Sequence, residues 1–434
     1  MTDLHDARMS RVQFFRMMGG LAVAAAATAC STKPETTATT GGGGAAAVDL
    51  KVVGVADQKA PLDELIAAYG KVKPDVRLTA SYAPTDQVQT SVRTQLGAGN
   101  GPDLHVVYPG NGSAMSMSQI AKAGLLADLS AQAWTQTIPA GFKPAFQLDG
   151  KTYIYSAGSS VIGAVYNKKA FQKAGVDAPP TTWTEFLAVC DKLKKAGIVP
   201  IALGAQTPWV TQLITYALVP STVYAKDPTF DDKQLAGQAT FAQSGWRQAM
   251  EMYLELQKRG FFNDKPNGTT FEQQISMVAT GKAGMAIQVS AVLPDFRKAA
   301  SSPDDLSMFP VPGADDANQV WIPAGVVVGL GANAKGKNAE QAKAFIDFLG
   351  KQKNINAWAK AIAAIPLTQD ASSTIDPAVE SFLPFTKDRA VPFMDQRWPN
   401  AEVQPVHFAV IQELLAGKSS IDEALKKMDE AYKK

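Results

Sequence analysis

The chain has 434 residues, 46% of them apolar, enough to bury one large or two medium hydrophobic cores. Forty-two Lys and Arg against forty Asp and Glu leave a formal charge of +2, with no clustered basic stripe, which argues against a nucleic-acid partner. Two cysteines and three histidines, with no Cys pair at metal-binding spacing, leave no basis for a disulfide framework, a metal site or a cofactor.

At the N-terminus, Arg8, Arg11 and Arg16 precede an uncharged run over 17–27. That is the length of a signal-peptide apolar region and too short to cross a bilayer. Ala27-Thr28-Ala29-Cys30 resembles the lipobox of bacterial lipoproteins, which implies a signal peptide over 1–29 and a lipidated Cys30. A plain secretory signal cleaved near Ala29 is the alternative. Residues 10–16 resemble a twin-arginine export motif lacking its second Arg, so the general secretory route is favoured. Residues 31–47 are rich in Thr, Gly, Ala and Ser, with four consecutive Gly at 41–44, and read as a tether from the lipid to the folded body.

From Leu50 onward, short β-branched runs alternate with amphipathic stretches, the pattern of an α/β fold with βαβ units. Strands are predicted over 50–56, 76–82 and 104–108, and helices over 61–73, opened by Pro61, and 86–96, stopped by Gly97. The glycine-rich run over 97–101 ends a helix rather than opening one, so it reads as a turn and not as a phosphate cradle. Asp149-Gly150 marks a hairpin turn into 151–156, and 161–167 is a further strand. Helices follow over 183–196, 244–258, 270–280, 339–349 and 420–432, several with Gly at their ends. Trp183, Phe186, Leu187, Cys190 and Leu193 recur at helical spacing, which makes Cys190 a core filler rather than a nucleophile.

Residues 150–171, GKTYIYSAGSSVIGAVYNKKAF, resemble the segment by which extracellular solute-binding proteins of ABC importers leave one lobe, cross to the other and begin a strand ending in Tyr-Asn-Lys. Gly101-Pro102-Asp103 before a strand, the Ala123–Leu129 run, Pro180–Phe186, Gly281–Met285 and Leu415–Lys418 match the same family in the same order. The resemblance implies a two-lobed α/β fold with a ligand cleft between the lobes, the first lobe holding 48–157 and 311–350 and the second 158–310 and 351–434. It further implies a monomer that captures a sugar, delivers it to the permease subunits of an ABC importer, and catalyses nothing.

Ligands of open α/β sheets sit beyond the carboxyl ends of strands. That rule points to Asp57 and Gln58 after the first strand and to Tyr108, Asn111 and Ser113 after the third. Asp86 is either a ligand contact or a helix N-cap. The resemblance adds Trp209, in the Pro208-Trp209 pair that relatives present to a sugar face, and Ser159 and Ser160 at the hinge crossing. It also adds Trp321 and Gly325 at the return to the first lobe, and Arg397 and Trp398 in the loop 394–399. Several sugar binders place a large aromatic after the segment matched by Gly281–Met285. Here Gln288-Val289-Ser290-Ala291 follows instead, leaving Ser290 as the candidate and putting a maltodextrin-like pose in doubt.

Within the same scaffold, a phosphorylated polyol such as a glycerophosphodiester is the runner-up, with Arg397 meeting phosphate. A secreted glycoside hydrolase is less favoured. Outside the signal region there are only His105 and His407, and neither a G-x-S-x-G elbow nor an H-E-x-x-H helix occurs. Paired carboxylates remain the one catalytic arrangement that sequence leaves open. A surface adhesin would require repeats or an apolar patch.

Overall fold

The computed structural model describes residues 47–434, so the signal segment, Cys30 and nearly all of the tether lie outside the described residues. Two sheets organise the body. The smaller has four strands. Val48–Val55 pairs in parallel with Val76–Ala83 on one side and Leu104–Val107 on the other, and Gly329–Ala332 closes the far edge antiparallel to Leu104–Val107. Parallel strands need helical crossovers, supplied here by Lys59–Val72 and Thr85–Gly97. The larger sheet is built on Gly158–Asn167, which pairs antiparallel with Ala283–Val289, Leu306–Phe309, Ile322–Val326 and Ile365–Pro366. Nine of its ten residues are buried, which fits a near-continuous apolar run in the middle of a sheet.

Each sheet carries its own core. Leu50, Val52, Leu104, Phe146, Tyr155, Phe345 and Trp358 belong to one cluster, while Phe186, Tyr216, Phe241, Trp246, Phe261, Trp398 and Met428 belong to another. A third cluster on the other face of the larger sheet includes Phe296 and Phe382. Val326, Val327, Ile355, Trp358 and Ile362 pack with the first cluster, whereas Val311 packs with the second and Ile322 with the third. The body is therefore a two-lobed α/β structure.

Three chain segments pass from one lobe to the other side by side. At 155–158, Tyr155 exchanges both backbone hydrogen bonds with Leu330, and the Ser156 hydroxyl donates to the Val327 carbonyl at 3.0 Å. At 326–329, Val327 N–H donates to the Gly158 carbonyl. The third crossing brings Ile365 opposite Ser159 and Pro366 opposite Gly158. Gly329 is required here, because a Cβ would sit 2.0 Å from the Tyr155 carbonyl oxygen.

Local signals account for the helix ends. Thr182, Thr270 and Ser420 each accept from the backbone N–H three residues on, while Glu185, Gln273 and Glu423 reach back to the cap, completing capping boxes for Trp183–Lys195, Phe271–Ala279 and Ile421–Tyr432. At Asp149-Gly150 both residues have positive φ, 49° and 76°, the two-residue turn that joins Gln147–Leu148 to Lys151–Thr152. The strand expected to run on to residue 156 stops at Thr152: Tyr153 N–H still donates to the Phe146 carbonyl beside the hairpin, but by Tyr155 the backbone has turned to Leu330 in the crossing. Cys190 is fully buried in the second core, and burial pushes its thiol well above its ordinary value. No described helix is long and apolar enough to cross a membrane.

Candidate functional site

Between the lobes lies a cavity whose empty volume, including its open mouth, is about 1020 Å³. The carboxyl ends of the first-lobe strands build one wall: Val55, Asp57 and Gln58 after the first strand, Thr85, Asp86 and Gln89 on the helix after the second, and Tyr108 and Pro109 after the third. The opposite wall comes from the second lobe, with Trp209, Gln212, Leu213 and Tyr216 on consecutive helical turns, Phe393, Asp395 and Gln396, and Gln404 and Phe408 one turn apart on Val403–Leu415. Val326, Val327 and Val328, from a crossing segment, form part of the floor. This placement follows the rule that strand-following loops carry ligand contacts in open α/β sheets.

Of the residues singled out from sequence, Asp57, Gln58, Asp86, Tyr108 and Trp209 line the cavity. Asp57 is partly accessible from the cavity yet surrounded by protein. Desolvation, and then the neighbouring Asp295 carboxylate, push it up to about 6. Gln58 is held by its side-chain N–H donating to the Val328 carbonyl at 3.2 Å. Asp86 is not the N-cap: the helix begins at Thr85 behind Pro84, which puts the carboxylate in the first turn, at the positive end of the helix dipole. Trp209 is half-buried, with its ring edge-on to Phe271 at 4.9 Å between centroids, so one wall of the indole is fixed by packing.

The remaining candidates do not line the cavity, and each has a structural occupation instead. The Ser160 and Ser290 hydroxyls are fully buried and bond each other at 2.6 Å, while the Ser159 hydroxyl donates to the Gly325 carbonyl. Gly325 lies beneath the Phe393 ring, where a Cβ would come within 2.5 Å, so its role is to let that ring approach the strand. Asn111 donates to the Trp398 and Pro399 carbonyls, and Ser113 is buried against Ser116. Trp321 is pinned by its backbone to the Ser221 hydroxyl. Trp398 is 2% exposed and packs edge-on against Tyr216 and Phe241, inside the second core. Arg397 pairs with Asp231 at 2.6 Å, and the Tyr224 hydroxyl donates to the other oxygen of that buried carboxylate.

Sequence reasoning missed most of the second-lobe wall. Tyr216 lies in the apolar run Leu213–Val219, which reads as core, and Gln404 and Phe408 share a helix face without any distinguishing motif. Asp395 and Gln396 are within reach of the sequence, since the loop 394–399 carries the candidates Arg397 and Trp398. Burial pushes the Asp395 carboxyl up to about 6, tempered by the nearby Tyr216 hydroxyl, which approaches it without meeting hydrogen-bond geometry. The Tyr216 hydroxyl and the Gln396 side-chain oxygen are buried polar atoms without a partner. Gln396 is anchored by its N–H donating to the Val326 carbonyl at 2.9 Å. Where an aromatic was missed after Gly281–Met285, Val289, Ala291 and Val292 give the cavity an aliphatic side.

Among the lining residues there are three carboxylates and no Lys, Arg or His. His105 and His407 are fully buried elsewhere, and burial lowers them to about 4 and about 3, so both are neutral at ordinary pH. Among the described residues no group of His, Cys, Asp and Glu is arranged to hold a metal ion.

Two lobes, three crossings and a cavity walled from both sides define a binding protein whose ligand is held between domains. Residues 55–356 match the family described as bacterial extracellular solute-binding protein, and the chain belongs to that family. It is 22% identical over 354 residues to the multiple sugar-binding protein of Streptococcus mutans, spanning 79% of this chain and 80% of that one. Against the sn-glycerol-3-phosphate-binding periplasmic protein of Shigella flexneri the identity is 25% over 328 residues, 71% of this chain and 72% of that one. A solved chitin oligosaccharide binding protein superimposes with a TM-score of 0.76 at 21% identity, covering 89% of this chain and 98% of that one, and carries the same two-lobed fold.

Proposed function

We propose that this protein captures a carbohydrate in the interlobe cavity and delivers it to the permease of an ABC importer. The observation that carries the reading is the character of the lining. Trp209, Tyr108, Phe393 and Phe408 offer ring faces and edges, and Gln58, Gln89, Gln212, Gln404 and three carboxylates offer hydrogen-bonding groups, contributed by both lobes. Such a surface suits a ligand with apolar faces and a hydroxyl rim. A guest touching both walls is bound better by the closed arrangement, and that differential affinity shifts the open and closed populations that a transporter reads. Domain closure of this kind in periplasmic binding proteins is an established pattern. We place the lobe boundaries at the three crossings, and the Ala27-Thr28-Ala29-Cys30 motif supports export with attachment through Cys30.

Similarity to a glycerophosphate binder keeps the phosphorylated-polyol reading in view, but a phosphate brought into this cavity meets three carboxylates and no cationic side chain. Thermal-shift and calorimetric titration across a panel of mono- and oligosaccharides tests the proposal. A saccharide at a hundred times its Kd should stabilise the protein by about 2.7 kcal/mol. Trp209→Ala should weaken that saccharide on the order of a hundredfold, since an indole buries roughly 150–250 Å² at ~25 cal/mol per Å², offset by ordering costs. Silence across the panel, with a response to glycerol phosphodiesters, would replace this reading with its runner-up.

A further inference from the structure

We infer that Asn111, which does not line the cavity, is a positioning residue that sets ligand affinity from outside it, as the centre of a clasp that holds the two lobes closed on each other. The clasp joins loop 109–113 of the first lobe to loop 394–399 of the second. The first loop is fixed in its own lobe: Gly110 N–H donates to the Ala145 carbonyl, the Gly110 carbonyl accepts from Ser118 N–H, and Met115 and Met117 lie in the first core. The second loop is fixed in the other lobe by Met394 and Trp398, which belong to the second core.

Across the seam between them, the Asn111 side-chain amide donates to the Trp398 carbonyl at 3.2 Å and to the Pro399 carbonyl. Gln119, on the helix Met117–Lys122, donates to the Asn111 side-chain oxygen at 2.9 Å, which turns the amide so that its N–H groups face the other lobe. The backbones meet as well. A Cβ at Gly110 would lie 2.1 Å from the Gln396 carbonyl oxygen, and one at Gly112 would lie 2.1 Å from the Asp395 carbonyl oxygen, so glycine at both positions lets the loops come into contact. Every partner in the seam is a group of the protein, and closing it requires no guest. The same two loops carry opposite walls of the cavity, with Tyr108 and Pro109 leading into one and Phe393, Asp395 and Gln396 in or beside the other. The clasp therefore fixes the gap between those walls, and the closed fraction it maintains scales the apparent affinity for any ligand gripped by both. Two hydrogen bonds of ordinary net strength shift that closing equilibrium on the order of tenfold.

The test compares wild type with Asn111→Ala, which removes the cross-lobe donors, and with Gly112→Ala, which drives a wedge into the seam. Gly112 is a cleaner position than Gly110, because Gly110 has a φ of 72° and an alanine there would be strained within its own lobe. Small-angle scattering of the ligand-free proteins, checked for unaltered circular-dichroism spectra, should give both variants a larger radius of gyration than wild type. The tightest saccharide of the panel should bind both variants about threefold to tenfold more weakly, and in Asn111→Ala the loss should lie in faster dissociation with no slowing of association. A radius that matches wild type in either variant overturns the clasp, whether or not a saccharide binds. Enlarged radii with unaltered saccharide affinity overturn the role of Asn111 in binding. Enlarged radii with silence across the saccharide panel keep the clasp, which stands on the two-lobed fold alone, and overturn the carbohydrate reading.

Discussion

Replacing Asp395 by Asn should make the protein more stable at neutral pH and less able to hold its ligand. The reasoning starts from the raised carboxyl. An acid whose folded pKa is about 6 against an ordinary 3.8 holds its proton more tightly when folded, so between those limits the native state binds more protons than the unfolded chain. Stability then falls as pH rises from about 4 to about 6, and above that range the full cost of the buried charge is present. At ~1.36 kcal/mol per pKa unit the interval is worth about 3 kcal/mol, reduced to between about 1 and 3 because one side of the carboxylate faces cavity water. Urea unfolding of wild type and Asp395→Asn, from pH 4 to pH 8, reads this out directly. The variant should be more stable by that amount at pH 7 to 8, and the two should converge near pH 4. A difference that stays constant with pH, or a variant less stable at pH 7, would refute the account. The buried histidines set the background against which this is measured: both are depressed, so the protein loses stability as pH falls below about 6.5, in wild type and variant alike.

Arg397→Ala should cost about 1–3 kcal/mol of stability, because Asp231 is left buried with only Tyr224 as a partner, and Asp231→Asn in the same background should recover much of it. Saccharide affinity should stay unchanged in the double variant, since neither residue lines the cavity; loss of binding with normal stability would return Arg397 to the ligand site. Gly325→Ala should displace the Phe393 ring toward the cavity, lowering stability by about 1–3 kcal/mol and weakening ligand together, both measurable in one thermal-shift titration. Trp398→Ala should cost about 3–5 kcal/mol in unfolding experiments, as a large core side chain does, and any effect on binding should follow from that loss rather than from a lost contact.

The alternation of β-branched runs with amphipathic stretches was sufficient to place most helices and the inner strands, because the apolar period of each element is written locally in its residues. Helix starts were legible for the same reason: Thr182 with Glu185 and Ser420 with Glu423 satisfy their own backbone within four residues, whatever the rest of the chain does. Part of the cavity was legible too, since Asp57, Gln58 and Tyr108 follow strands and strand ends point toward the cleft.

Other assignments depended on partners far away in the sequence. Whether a tryptophan faces solvent, ligand or core is decided by what packs on it: Trp209 borders the cavity, whereas Trp398 is closed over by Tyr216 and Phe241, more than 150 positions distant. The polar candidates have the same history, with Ser160 meeting Ser290 and Arg397 meeting Asp231 across long stretches of sequence. By itself the chain determined its elements and the class to which it belongs, since local periodicity and motif order suffice for that. Only the tertiary structure decided which side chains remain unsatisfied and open to a guest, because hydrogen-bond and charge pairing over long separations consumes some polar groups and spares others.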